Sequence, residues 1–270
     1  MKRFVLISIL VFFAFLVPSK EMTFAEGGIA WDPEVPVCTA SGNQENIRMA
    51  PDGSGGAIVV WQDYRSGVDF DIYAQRIDQN GNRRWQPNGV IVSTAPNSQL
   101  RPVIVGDGYG GAIIAWEDYR SGYWNIYSVR ISSAGTTYPA GIWMDNGKAL
   151  NPGPYNQFLP DIVSDGYDGA IIVWQEFNGS QYSIYAQRIK DDGTMPWGTG
   201  VAVSTGIFSK GLPKIINDGT GYVIVTWQDK PSGIDYDIYA HRMDINSGTK
   251  HPSWLLNGNP VSIVTTSDQK

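Results

Sequence analysis

Cysteine is nearly absent from this chain: Cys38 is the single one in 270 residues, so no intrachain disulfide can form and the core must supply the stability. Histidine is almost as scarce, with His241 and His251 both near the C-terminal end. Neither a His–Cys cluster nor a Gly-x-Ser-x-Gly elbow occurs, which leaves zinc chemistry and the usual serine hydrolase without support; no metal and no cofactor is expected. The run DQNGN spaces Asp78, Asn80 and Asn82 like a calcium loop, but it lacks the downstream glutamate and reads as a hairpin turn. His241 replaces a position held elsewhere by Gln75, Val129 and Gln187, so it reads as a variable strand residue.

Clustered basic residues are missing too. The chain carries 20 Lys and Arg against 26 Asp and Glu, which argues against nucleic acid or an anionic membrane as partner. Long apolar runs are confined to the first residues. There Lys2 and Arg3 precede fourteen uncharged, mostly apolar residues and then a polar stretch reaching Ala25. This is the pattern of a secretory signal, and the run is shorter than the roughly 20 residues of a bilayer span. Residues 1–25 are therefore expected to be removed and 26–270 to form a single domain that is secreted, periplasmic or at the cell surface, with no membrane insertion. Without Lys2, Arg3, Lys20 and Glu21, 17 basic and 25 acidic residues remain, a net charge of −8.

Helical periodicity is absent from the rest of the chain. What fills it is one sentence written four times. GGAIVVWQDYRSG (55–67) and GGAIIAWEDYRSG (110–122) return in blurred form as DGAIIVWQEFNGS (168–180) and GYVIVTWQDKPSG (221–233). Each is led by an Asp-Gly pair, at Asp52, Asp107, Asp165 and Asp218, and nine residues later stands Trp61, Trp116, Trp174 or Trp227. Ile-Tyr-x-x-Arg follows, ending in Arg76, Arg130, Arg188 and Arg242. Another tryptophan, Trp31, Trp85, Trp143 or Trp197, precedes each Asp-Gly pair by 21 or 22 residues, and Trp254 begins a fifth copy. The units run about 31–84, 85–142, 143–196 and 197–253, with a partial fifth at 254–266.

Each unit reads as four short strands bounded by Gly, Asp, Asn and Ser. The third is a nearly unbroken apolar run, as expected of a strand buried on both faces. A four-stranded meander cannot cover both faces alone, and copies arranged around an axis do so, which predicts an all-β fold, a β-propeller of four recognisable four-stranded blades. A solenoid is the structural rival, although its coils commonly take 20–30 residues. Four inner triplets but five outer strands, beginning near Val35 and ending near Val261, leave one surplus outer strand. That count fits a small closed ring, an arc pairing with a second copy as a homodimer through terminal strands, or part of a larger propeller.

The run from Pro102 through Asp107-Gly108, Ile113, Ala115, Asp118, Arg120, Gly122, Ile126 and Tyr127 resembles the repeat of TolB-type (PD40, WD40-like) propellers, and also longer repeats of secreted bacterial propeller proteins. The resemblance spans 31–266 and implies the fold. The longer unit and the added tryptophan depart from TolB.

Two residue sets are candidates for function. The position two after each core tryptophan is acidic, as Asp63, Asp118, Glu176 and Asp229, and carboxylates repeated around an axis could line a glycosidase-like funnel. The competing reading, an ion pair or capped turn within each blade involving the recurrent Arg76, Arg130, Arg188 and Arg242, explains both sets and is preferred. Aromatics form the second set: Phe70, Trp124, Tyr182 and Tyr236 at a strand entrance, beside Tyr64, Tyr119 and Phe177. They suit stacking on a sugar ring or gripping a peptide, and equally packing between blades. The expectation is an exported binding module for a carbohydrate or a protein, with a glycosidase-like hydrolase or a structural segment of a larger surface protein as alternatives.

Overall fold

The computed structural model describes residues 34–138, 143–231, 235–256 and 258–262, so the expected signal segment and residues 263–266 lie outside the described residues. Val35–Lys270 forms one compact unit. Its described residues hold sixteen strands in four antiparallel sheets, each built from four strands consecutive in the chain. The first blade is β1 (Gln44–Pro51), β2 (Ala57–Asp63), β3 (Asp71–Ile77) and β4 (Val90–Ser93); the second is β5 (Gln99–Gly106), β6 (Ala112–Asp118), β7 (Asn125–Ile131) and β8 (Lys148–Ala149). The third is β9 (Asn156–Ser164), β10 (Ala170–Phe177), β11 (Tyr182–Ile189) and β12 (Val201–Ser204), and the fourth β13 (Lys210–Asn217), β14 (Tyr222–Asp229), β15 (Asp237–Asp244) and β16 (Asn259–Ser262).

The repeat dictates this geometry locally. Asp52 Oδ1 accepts the backbone N–H of Ser54 and of Gly56, both at 2.8 Å, and its own N–H bonds Gly56 O at 3.1 Å, which folds the chain back between β1 and β2. Gly56 is required there, since a Cβ would lie 2.2 Å from Ile77 O. The same aspartate holds the arginine two strands away: Arg76 Nε reaches Asp52 Oδ2 at 2.9 Å, and Arg130–Asp107, Arg188–Asp165 and Arg242–Asp218 repeat the pair. The recurrent arginines thus belong to the Asp-Gly turns and not to the acidic residues after the tryptophans.

The core lies between blades. Alternate residues of β10 enter different clusters: Ala170, Ile172 and Trp174 pack toward the first two blades, Ile171 and Val173 toward the fourth. A strand covered on both faces has no polar side, hence the unbroken apolar run. Trp61, Trp116, Trp174 and Trp227 are buried and stack on Tyr73, Tyr127, Tyr185 and Tyr239 at 6.2–6.5 Å. Burying one indole, about 200 Å² of mostly apolar surface, contributes about 5 kcal/mol before entropy is counted.

Two expectations need correction. Strand VIVS (90–93) completes the blade before it, pairing Ile72 with Ser93 and Tyr73 with Ile91, so the blades are offset from the units that began at each leading tryptophan. The surplus outer strand does not form: residues 35–38 make no ladder, and β16 completes the fourth blade. The inner strands β1, β5, β9 and β13 pack in succession, but β13 and β1 do not pack on each other in that way.

Candidate ligand site

Residues of the four inner strands line an axial channel of about 230 Å³. Asn46, Arg48, Arg101, Leu159, Leu212 and Lys214 are among the residues lining it. Asn46, Arg101, Leu159 and Leu212 occupy the same place in each blade and all have φ of 50–52°, a left-handed conformation rare for residues other than glycine. Each blade's inner pairing shifts register at this point, so a bulge turns these residues out of the ladder toward the axis. Strained backbone of this kind persists where its surroundings over-determine it, and for Arg101, Leu159 and Leu212 the preceding blade does so. Gln62 Oε1 accepts the Arg101 N–H (3.1 Å), Glu117 Oε1 that of Leu159 (2.8 Å), and Gln175 Oε1 that of Leu212 (3.2 Å).

The channel is basic. Arg101 Nη1 bonds Glu117 Oε2 at 2.7 Å, Lys214 Nζ lies 3.6 Å from Asp161 Oδ1, and Arg48 Nη1 donates to Ile47 O at 2.8 Å. Glu117 is fully buried, and burial raises its pKa against the pull of the Leu159 N–H and Arg101. It is the carboxylate that breaks the repeat, standing where the other blades have Gln62, Gln175 and Gln228.

The repeated carboxylates do not line this channel. Asp63 Oδ2 accepts the Trp61 indole N–H at 2.7 Å and the Arg65 guanidinium at 2.6 Å; Asp118 does the same with Trp116 and Arg120 at 2.9 and 2.5 Å. Burial pushes the Asp63 pKa up, but Arg65 and the indole pull harder and leave it below its ordinary value. Glu176 accepts Gln157 Nε2 at 3.0 Å, with its pKa raised by burial, and Asp229 pairs with Lys210 at 3.3 Å. All four are buried and committed to partners inside their own blades.

The seven aromatic candidates come together in pairs, not in one patch. Tyr64 meets Phe70 at 5.0 Å, Tyr119 meets Trp124 at 4.9 Å, and Phe177 meets Tyr182 at 4.8 Å, each tilted. In the fourth blade Lys230 stands over the Tyr236 ring at 5.3 Å. These pairs sit at the turn joining the second and third strands, at the same end as the bulge residues. The backbone of these turns also joins neighbouring blades: Phe70 O and Trp124 O accept the N–H of Gln99 and Gln157 from the next blade.

The remaining motifs are structural. Asp78 Oδ1 accepts the N–H groups of Asn80 and Asn82, both at 2.9 Å, in a hairpin turn. His241 is buried between Trp227 and Trp254, and its Nε2 lies 3.2 Å from Leu256 O. A larger cleft, about 380 Å³, lies at the opposite end between the second and third blades, where Arg130 is held by Asp107 and flanked by Tyr109 and Tyr138. What sequence reasoning missed is the axial trio Arg48, Arg101 and Lys214. Its signal was variation: these residues fall at inner-strand positions where the four copies differ.

Among solved structures, the chain is similar to an α-L-arabinanase of Penicillium chrysogenum complexed with arabinobiose, at 13% identity and a TM-score of 0.53, over 86% of this chain and 71% of that one. It is likewise similar to an α-L-arabinofuranosidase of Fusarium graminearum in complex with an iminosugar inhibitor, at 12% identity and a TM-score of 0.50, over 85% and 72%. A Hadza microbial sialidase matches at 12% identity and a TM-score of 0.52, over 79% of this chain and 47% of that one. The fold is a β-propeller. At these identities the likeness is one of fold. No family model and no curated protein matches the chain, so the resemblance to TolB-type repeats extends no further than the architecture.

Proposed function

We propose that this chain is an exported carbohydrate-binding propeller whose axial channel takes an anionic sugar residue. The observation that carries the reading is the convergence of Arg48, Arg101 and Lys214, from three different strands, on one small channel in a chain of net charge −6. Arginine forks match carboxylates, and a low-dielectric cleft focuses the field of such a group. The channel is below the roughly 300–1,000 Å³ of drug-sized pockets, a size suited to one sugar ring with the rest of a chain outside. The half-exposed aromatic pairs at the same end offer stacking surfaces to that remainder. Proteins of this fold bound to arabinobiose and to an iminosugar lend the sugar class support.

The test is retention of the purified protein on immobilised oligosaccharides, uronic-acid against neutral. Selective retention of the uronates, weakened by salt, is expected. Equal retention of both would reassign the ligand as a neutral glycan, and retention of neither would leave a structural segment as the reading.

A second reading, a glycoside hydrolase, is favoured by Glu117 and Asp161, the carboxylates bonded to channel-lining cations. It draws on neither Asp63, Asp118, Glu176 nor Asp229. Turnover of an arabinan or uronate substrate, lost in Glu117→Gln, would establish it.

A further inference from the structure

Successive blades are joined by a repeated set of hydrogen bonds. The outer tryptophan of one blade donates its indole N–H to a turn carbonyl of the next: Trp85 to Ser133 O (2.9 Å), Trp143 to Asp191 O (2.8 Å) and Trp197 to Asn246 O (3.3 Å). The arginine of the Ile-Tyr-x-x-Arg motif reaches the same turn, from Arg76 to Ser133 O, Arg130 to Asp191 O and Arg188 to Ile245 O. Near the axis, Gln62, Glu117 and Gln175 each hold the bulge N–H of the next blade.

The fourth blade carries the same set, and among the described residues no next blade meets it. Among the described residues, the Trp254 indole N–H and the Gln228 side chain have no hydrogen-bond partner, and Arg242 turns back to Asp218 and Thr220 of its own blade. Beside them Ile216 is 59% exposed, whereas its counterpart Ala50 is 6% exposed.

The first blade shows the complementary face. Ile47 and Met49 are 60% and 66% exposed, although Pro102, Pro160 and Pro213 at the Ile47 position are buried beneath the preceding blade and Ile215, at the Met49 position, is 6% exposed. Asn46 stands where Arg101, Leu159 and Leu212 receive the inter-blade bond. Residues 35–38 mark the edge of the missing neighbour. Thr39 N–H donates to Asn88 Oδ1 at 2.8 Å as Thr94 N–H does to Asn146 Oδ1, and Cys38 Sγ takes the place of Ser93 Oγ beside the arginine, 3.5 Å from Arg65 Nη2. The segment sits as the outer strand of a preceding blade would.

We propose that these two faces bind each other between two copies of this chain, head to tail, the fourth blade of each seating on the first blade of the other. One sequence supplies both halves of an interface that it already forms three times internally, and within one chain β1 and β13 do not pack on each other as the other successive inner strands do. A heterologous contact of this kind closes into a ring when the rotation permits. Because residues 35–38 already hold the outer place, the incoming blade seats β13–β15, and the four-residue β16 gives way to that segment.

Light scattering on a sizing column, over a range of concentrations, tests this with the purified protein and the variants Ile47→Asp and Ile216→Asp. Both substitutions are at exposed positions, and circular dichroism confirms folding; Met49→Lys serves as a second first-blade variant. The expected result is twice the single-chain mass for the parent, at least tenfold weaker association for each variant alone, and recovery of a dimer when the two variants are mixed, since one junction then retains both original faces. A parent that is monomeric throughout, a dimer indifferent to every variant, or no recovery on mixing overturns the proposal. An open ladder of higher masses overturns the two-copy closure.

Discussion

The indole N–H of Trp116 donates to Oδ2 of Asp118, two residues along the same strand, at 2.9 Å, and both side chains are fully buried. Residues i and i+2 share one face of a strand, so the pair is built into β6, and Arg120 closes it from the following turn. A carboxylate bound in this way by an indole and a guanidinium holds this turn in the first two blades, as Asp63 and Asp118. Asp118→Ala should cost about 3–5 kcal/mol in chemical denaturation, because it leaves the guanidinium of Arg120 without its carboxylate and the buried Trp116 N–H without an acceptor. A loss under 1 kcal/mol would mean the site tolerates an empty carboxylate and is not a structural lock.

Asp71 sits at the same position as Asn125 in the second blade and is the less comfortable of the two. Burial, with Asp69 and Asp63 nearby, pushes its pKa up to about 6. The folded state then binds more protons than the unfolded one between about pH 4 and 6, so stability falls as pH rises through that window. Asp71→Asn should raise stability at pH 7 by about 1–2 kcal/mol and leave it unchanged near pH 3. Thermal melts at both pH values decide; a gain of equal size at each would point to hydrogen bonding and not to charge.

For His241 the sign is opposite. Burial between two tryptophans lowers its pKa beneath the ordinary 6.5, with an added push from Lys250. As pH falls below about 6.5 the unfolded chain takes up a proton that the folded one refuses, so stability is lost on acidification. His241→Gln, the residue of the first and third blades, should flatten the melting profile between pH 7 and 5. An unchanged slope would assign it to another group.

Gly147 and Gly122 separate conformational from steric demands. Both have positive φ, but a Cβ on Gly147 would lie 2.4 Å from the Trp116 ring, and one on Gly122 would meet nothing within 4 Å. Gly147→Ala should cost roughly 2–4 kcal/mol and Gly122→Ala about 1 kcal/mol, measured by denaturant midpoints. Equal costs would mean that the tryptophan moves freely aside.

The blades were legible because the residues that recur are those every blade needs: the Asp-Gly turn, the core tryptophan and the Ile-Tyr strand. Spacing alone could not say which carboxylate Arg76 meets. The register decides for Asp52: Arg76 pairs with Ile58 at the start of β2, next to the Asp-Gly turn, whereas Asp63 pairs with Asp71 at the far end of the same two strands. The channel was hidden for the opposite reason. Arg48 and Lys214 align with Val103 and Asp161 in the other copies, so they look like noise around the repeat, and their separation along the chain conceals a cluster that circular arrangement creates. The surplus outer segment at 35–38 was visible as a count, but which blade it borders required Thr39 and Asn88.

We propose that the positions that vary around the axis, and not the carboxylates that recur, meet the ligand. Calorimetric titration of a uronic-acid oligosaccharide into the parent protein, Arg48→Gln, Lys214→Gln and Asp118→Asn tests it most directly. Affinity at least tenfold weaker is expected in the first two variants, with melting temperatures unchanged, since a charge-assisted bond contributes about 1.5–3 kcal/mol. Asp118→Asn should lose stability and keep its affinity once folded. Binding abolished in Asp118→Asn and untouched in Arg48→Gln and Lys214→Gln would contradict it.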